Sequence, residues 1–188
     1  MESIKVLIPT DFSVQAEYAY VMVQKLSRRV PMDIHFLHVL NMPDTVTLEA
    51  DGTISTCGEI DVRYVETQKN IAERKLEEYK TQYGSSMNIH LRFGKTTEGI
   101  LEFARSGKFD LIAMGTKGAW GLQERISGSE AQVVARKSTI PVLTLMCDRS
   151  DLEIRNVLLV HKFTDHTTQD ISLLKKLTQA LQPNLHFL

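Results

Sequence analysis

The chain has 188 residues, with 22 Lys and Arg against 23 Asp and Glu, a formal net charge of −1 and 43% apolar residues. That length exceeds the commonest single domain, and the composition is that of an ordinary globular protein with a sizeable core. Near-neutral charge, with cations scattered among Glu rather than clustered, excludes general electrostatic binding to nucleic acid.

Two cysteines, Cys57 and Cys147, lie far apart and outside any CxxC pair, which points to free thiols in a reducing compartment. No signal peptide is visible, and no apolar stretch approaches the length needed to span a bilayer. A cytoplasmic protein with no membrane partner is expected.

Ile4 to Pro9 is a continuous apolar run with one lysine, as in a strand buried on both faces. Thr10-Asp11-Phe12-Ser13 breaks it, with Ser13 suited to cap a helix whose apolar stripe is Ala16, Ala19, Val23 and Leu26. Ile34 to Leu40 reads as a second strand. Asn41 to Ile60, rich in Thr, Asp and Gly, reads as a long surface loop. Val65, Ala72, Leu76, Tyr79 and Tyr83 then share a helix face, with Gly84 suited to the C-terminal cap. Met87 to Phe93 alternates as a strand nearer a sheet edge does. A short helix over Thr96 to Ser106 and a buried strand over Phe109 to Met114 follow. A helix from Ser129 to Lys137 leads into a last strand, Ile140 to Leu145, where Pro141 points to an edge.

Strands alternating with helices predict an α/β fold, an open five-stranded parallel sheet with helices on both faces. Ligands of such sheets bind beyond the carboxyl ends of strands, where strand order reverses. Asp11 and Gly115, a hundred residues apart, both fall there. Gly115-Thr116-Lys117-Gly118, then nine residues, then Gly128-Ser129 carries the parts of a phosphate cradle. Glycines let backbone N–H groups approach an anion, and a helix start adds unpaired donors.

Beyond the polar linker Cys147 to Asp151, Arg155 to Thr164 repeats the pattern of Lys5 to Ser13. Leu173, Leu177 and Leu181 mark a helix, and Asn184-Leu185-His186-Phe187-Leu188 matches Asp33 to Leu37. Residues 1–147 thus form one domain, and 153–188 an incomplete βαβ second repeat. A βαβ piece cannot cover its own sheet. Either the chain is a piece of a longer tandem protein, the preferred account, or the half-unit packs on another chain.

These motifs resemble the universal stress protein family. Gly115, Gly118, Gly128 and Ser129 satisfy the G-x2-G-x9-G-(S/T) pattern of its ATP-binding members. Pro9-Thr10-Asp11-Phe12-Ser13, His38-Val39 and Pro141-Val142-Leu143-Thr144-Leu145 match its other signatures in the right order. The resemblance implies a Rossmann-like, adenine-nucleotide α-hydrolase-like domain that binds ATP, commonly with Mg²⁺. Asp11 and Val39 would hold the adenosine end and Gly115, Gly118, Gly128 and Ser129 the phosphates, with Pro9 and Thr10 also among the cofactor-binding residues. The strand around Pro141 to Leu145 would pair with a counterpart, giving a homodimer or a tandem pseudo-dimer.

The chain also departs from the family pattern. Glu130 stands where a small or apolar residue is usual, Ala131 replaces a hydroxyl, Ala119 an arginine, and Lys162 the aspartate of the second copy. Asp11 has an alternative role in bracing its own turn. His35 and His38, three residues apart on a strand, face opposite ways, and His161 and His166 lack a zinc pattern, so no metal site is assigned. No G-x-S-x-G, HExxH or Walker A ending is present, so no catalytic residue is assigned and at most slow ATP hydrolysis is expected. The reading is an ATP-binding stress-response regulator acting through nucleotide-dependent conformation or assembly. Its rival is a dimerisation or scaffold module of the same fold that binds no nucleotide.

Overall fold

The computed structural model describes residues 3–43, 45–49, 51–57, 60–84, 87–116, 130–160 and 171–188. Five parallel strands form the main sheet: β1 (Ile4–Pro9), β2 (Met32–Asn41), β5 (Asn88–Gly94), β6 (Leu111–Gly115) and β7 (Val142–Leu145). Their order is β5-β2-β1-β6-β7, so the chain reverses direction across the sheet between β1 and β6. The helices are α1 (Val14–Ser27), α2 (Val62–Tyr83), α3 (Thr96–Ser106) and α4 (Glu130–Lys137). The alternating element order is as the sequence predicts, with β5 and β7 at the two edges.

Alternation along the strands sorts the core into two layers. Ile4, Val6, Ile8, Phe36, Leu111 and Ala113 face α1 and α2, where they meet Ala19, Tyr20, Val23, Leu76 and Tyr79. Leu7, Leu37, Val39, Ile112 and Met114 face α3 and α4, against Ile100, Ala104, Ala131 and Val134. Ser13 caps α1 as expected, its hydroxyl accepting from the Ala16 N–H at 3.4 Å. Asp61 caps α2 by accepting from the Arg63 N–H at 2.9 Å, and Gly84 ends that helix with φ +122°.

The segment 41–60 is not a plain loop. It contains an antiparallel hairpin, β3 (Val46–Leu48) with β4 (Ile54–Thr56), turned at Asp51-Gly52, where Gly52 takes φ +86°. Met42 and Val46 are buried against Val65 of α2, with Ile54 and Phe93 packed around them. That apolar underside seats the hairpin on α2.

The C-terminal segment forms β8 (Asn156–Leu159), α5 (Ser172–Leu181) and β9 (Asn184–Phe187), with β8 and β9 pairing in parallel. It leans on the main sheet of its own chain. Leu173, Leu177 and Ala180 pack on the layer containing Ile4 and Phe36, and Ile154 and Leu181 pack beside Met22, Leu26 and Leu145. The linker is fastened to α1 by the Lys25 ammonium, which donates to the Ser150 carbonyl at 2.7 Å.

Candidate functional site

The turn after β1 is organised by Thr10, a buried residue tied to β2 and to α2. Its N–H donates to the Leu37 carbonyl at 2.8 Å, and its hydroxyl accepts from the Phe12 N–H at 2.9 Å and lies 3.5 Å from the Tyr79 hydroxyl of α2. Its carbonyl accepts from His38 Nδ1 at 2.7 Å, which assigns the ring proton to Nδ1. Burial pushes the His38 pKa below its ordinary value. The Thr10 carbonyl and Asp11 oppose that shift, and Lys75 adds to it.

Phe12 adopts φ +64°, an uncommon conformation for a bulky residue. Its ring lies 4.5 Å from that of His38 and 5.6 Å from that of Tyr79, with the Lys75 ammonium 5.0 Å above it. Those contacts hold the backbone where it would not otherwise rest.

Asp11 is exposed, and its Oδ1 accepts from the Ser13 N–H at 3.0 Å. The turn-bracing role is therefore filled. Gly115 closes β6 directly against the first turn of α1. A β-carbon there would lie 1.9 Å from the Gln15 carbonyl oxygen. The glycine is demanded by this backbone contact, a requirement that the phosphate-cradle reading does not contain.

Between these elements lies a cleft of about 350 Å³, within the size range of small-molecule sites. Pro9, Thr10, Asp11, Val39 and Gly115 all line it, so five of the eight sequence-predicted residues come together. Gly118, Gly128 and Ser129 lie outside the described residues, as do Lys117, Ala119, Trp120 and Lys162. Leu37, Val39, Ile100, Met114 and Ala131 supply apolar wall, while Asp11, Ser13, Thr96, Thr116 and Glu130 supply polar groups. An apolar slot rimmed by polar groups at helix starts suits a planar base carrying a hydroxylated or phosphorylated tail.

Glu130 opens α4, and its carboxylate accepts from the Thr97 hydroxyl of α3. His38, Thr96 and Ile100 were not singled out from sequence as site residues. His38 carried a signal, because it immediately precedes Val39 at the end of the second strand. Thr96 and Ile100 carried none, since their presence depends on how α3 docks. The close approach of Gly99 to Val39, where a β-carbon would meet Val39 Cγ1 at 3.1 Å, sets that docking.

Among the described residues, no group of three or more His, Cys, Asp or Glu is arranged to hold a metal ion, and no helix is long and apolar enough to cross a membrane. His35 and His38 do face opposite ways. His38 meets Thr10 beside the cleft, while His35 Nδ1 lies 2.9 Å from His90 Nε2 on the other face.

Comparison with known proteins gives the same architecture. The model of the Universal stress protein family matches residues 4–145. A universal stress protein of Methanocaldococcus jannaschii is 27% identical over 141 residues, covering 75% of this chain and 81% of that protein. A second from the same organism is 27% identical over 151 residues, covering 75% of this chain and 93% of that protein. Its solved structure superposes with a TM-score of 0.58 at 25% identity, over 80% of this chain and 100% of that one.

A universal stress protein of Archaeoglobus fulgidus matches 97% of this chain and 64% of its own, with a TM-score of 0.70 at 20% identity. Two further solved structures share the fold. One is a universal stress protein in complex with cAMP, at 16% identity and a TM-score of 0.56 over 78% of this chain and 98% of that one. The other, from Arabidopsis thaliana with AMP bound, is at 13% and 0.50 over 80% and 95%. With the family match spanning the whole parallel sheet and its cleft, the chain belongs to the universal stress protein family.

Proposed function

We propose that this chain is a cytoplasmic regulatory protein that binds ATP or a related adenine nucleotide at the carboxyl end of its sheet. Binding would stabilise one conformation or assembly rather than drive turnover. The observation that carries this reading is the cleft shared by Pro9, Thr10, Asp11, Val39 and Gly115, which lies at the reversal of strand order. In the proposal the base lies against Leu37, Val39, Ile100 and Met114, and Asp11 accepts from the ribose hydroxyls. Gly115, Gly118, Gly128 and Ser129 receive the phosphates. Mg²⁺ accompanying a triphosphate would neutralise charge there, with the Glu130 carboxylate as an oxygen ligand. Relatives of the same fold that hold AMP and cAMP support the ligand class.

We further propose that residues 153–188 are the start of a second repeat, and that β7 pairs across a twofold or pseudo-twofold axis. Its place at the sheet edge supports that pairing. The competing scaffold reading draws on Glu130, an acidic side chain in the wall where phosphates would enter.

Thermal melts with and without ATP, ADP, AMP and cAMP, each with Mg²⁺, separate the two. Ligand at about a hundred times its Kd adds about 2.7 kcal/mol to the native state. Absence of any shift at millimolar ligand favours the scaffold. Gly118→Val and Gly128→Val should abolish binding while leaving the sheet folded. Binding that survives both would remove the assignment of the phosphates.

A further inference from the structure

Resting on the nucleotide reading above, we propose that Glu130 sets the charge preference of the cleft, which takes adenine ligands with few or no phosphate charges ahead of the free triphosphate. The cleft lining contains two carboxylates, Asp11 and Glu130, and no Lys or Arg among the described residues. Burial holds the pKa of His38, the remaining titratable group of the lining, below its ordinary value.

The two carboxylates act differently. Asp11 accepts from hydroxyl donors, a feature that every adenosine-based ligand shares, so it does not distinguish among them. Glu130 stands in the first turn of α4, the helix whose start would receive phosphate oxygens. Its carboxylate already occupies the favourable electrostatic position at the positive end of that helix. The Thr97 hydroxyl, reaching across from α3, holds it there.

A neutral adenosine meets no repulsion from this arrangement, a cyclic phosphodiester meets little, and a free triphosphate meets the most. A bound divalent cation would reverse the sign locally and restore the triphosphate. Lys117 and Arg125 belong to the segment outside the described residues. Their charges are common to every variant compared below.

The test is isothermal titration of the full chain and of Glu130→Gln with adenosine, AMP and ATP, in chelator and then with Mg²⁺. Wild type in chelator should bind adenosine or AMP at least about tenfold more tightly than ATP. Glu130→Gln should shrink that ratio about tenfold, by strengthening ATP and leaving adenosine unchanged within about twofold. The difference should also narrow at high salt. Glu130→Ser, which cannot make the same contact with Thr97, should act in the same direction, and a melt of each variant checks that it is folded. If adenosine binds but both variants keep the wild-type ratio, or if wild type binds free ATP most tightly, Glu130 does not set the preference. If no adenine compound binds any of the proteins, the nucleotide reading itself fails and this inference falls with it.

Discussion

Gly115 and Gln15 are locked together: a β-carbon on the glycine would sit 1.9 Å from the Gln15 carbonyl oxygen and 2.2 Å from its carbonyl carbon. Both obstacles are backbone, so no side-chain rotation relieves them. Gly115→Ala must therefore push β6 away from the start of α1, and is expected to cost at least about 3 kcal/mol in urea unfolding. Gly118→Val, which in the proposed reading damages ligand binding alone, should keep the wild-type urea midpoint. Equal stability of Gly115→Ala and wild type would contradict the tight contact.

Tyr20 lies 1% exposed between Phe36 and Tyr83, and its hydroxyl has no hydrogen-bond partner among the described residues. Burial raises its pKa above the ordinary value. Removing an unsatisfied buried hydroxyl relieves a desolvation penalty, so Tyr20→Phe should raise stability by about 1 kcal/mol. A loss of stability in chemical denaturation would mean that the hydroxyl is satisfied in solution.

The His90 pKa is pushed down to about 4 from an ordinary 6.5, first by burial, then by His35, Arg92 and Lys5. A folded-state pKa below the unfolded one means that the unfolded chain takes up the proton first as pH falls. Stability should be level above pH 6.5 and should decline between about pH 6.5 and 4. With the ring only half buried, screening leaves on the order of 1–2 kcal/mol of that decline to His90. His38, also held below its ordinary value, adds in the same direction. His90→Gln should flatten the pH profile of the melting temperature, and an unchanged slope would exonerate His90.

Leu173 and Leu177 lay α5 on the main sheet, where Leu143 also packs. Changing both to Ser should lower the melting temperature and make the linker near Ser150 more susceptible to proteolysis. Each truncation of a half-buried leucine costs about 1–2 kcal/mol. A protease pattern identical to wild type would show that the C-terminal segment is held by other contacts.

Much of the architecture was legible because single residues announced it. Ser13 marked the start of α1, Gly84 the end of α2 and Pro141 an edge strand, each through a local backbone requirement. The hairpin at 46–56 was missed although Asp51-Gly52 is a turn signal. Its strands have three residues each, and their polar composition hid the Met42, Val46 and Ile54 underside.

The cleft was legible at Asp11, Val39 and Gly115, which sit at strand ends. What came from outside any local pattern is long-range. The meeting of His35 with His90 needs the pairing of β2 with β5, and the Thr97–Glu130 contact needs α3 beside α4. Gly115 was read as an opening toward an anion, whereas its tightest neighbour is protein backbone.

One stiff rod spans two ends of the molecule. The first turn of α1 presses on Gly115 at the cleft, while Met22, Lys25 and Leu26 toward its far end grip the C-terminal segment. At about 1.5 Å of rise per residue this lever is about 20 Å long. The cleft and the C-terminal segment therefore share this one helix, whose middle is bedded on the sheet through Ala19, Tyr20 and Val23.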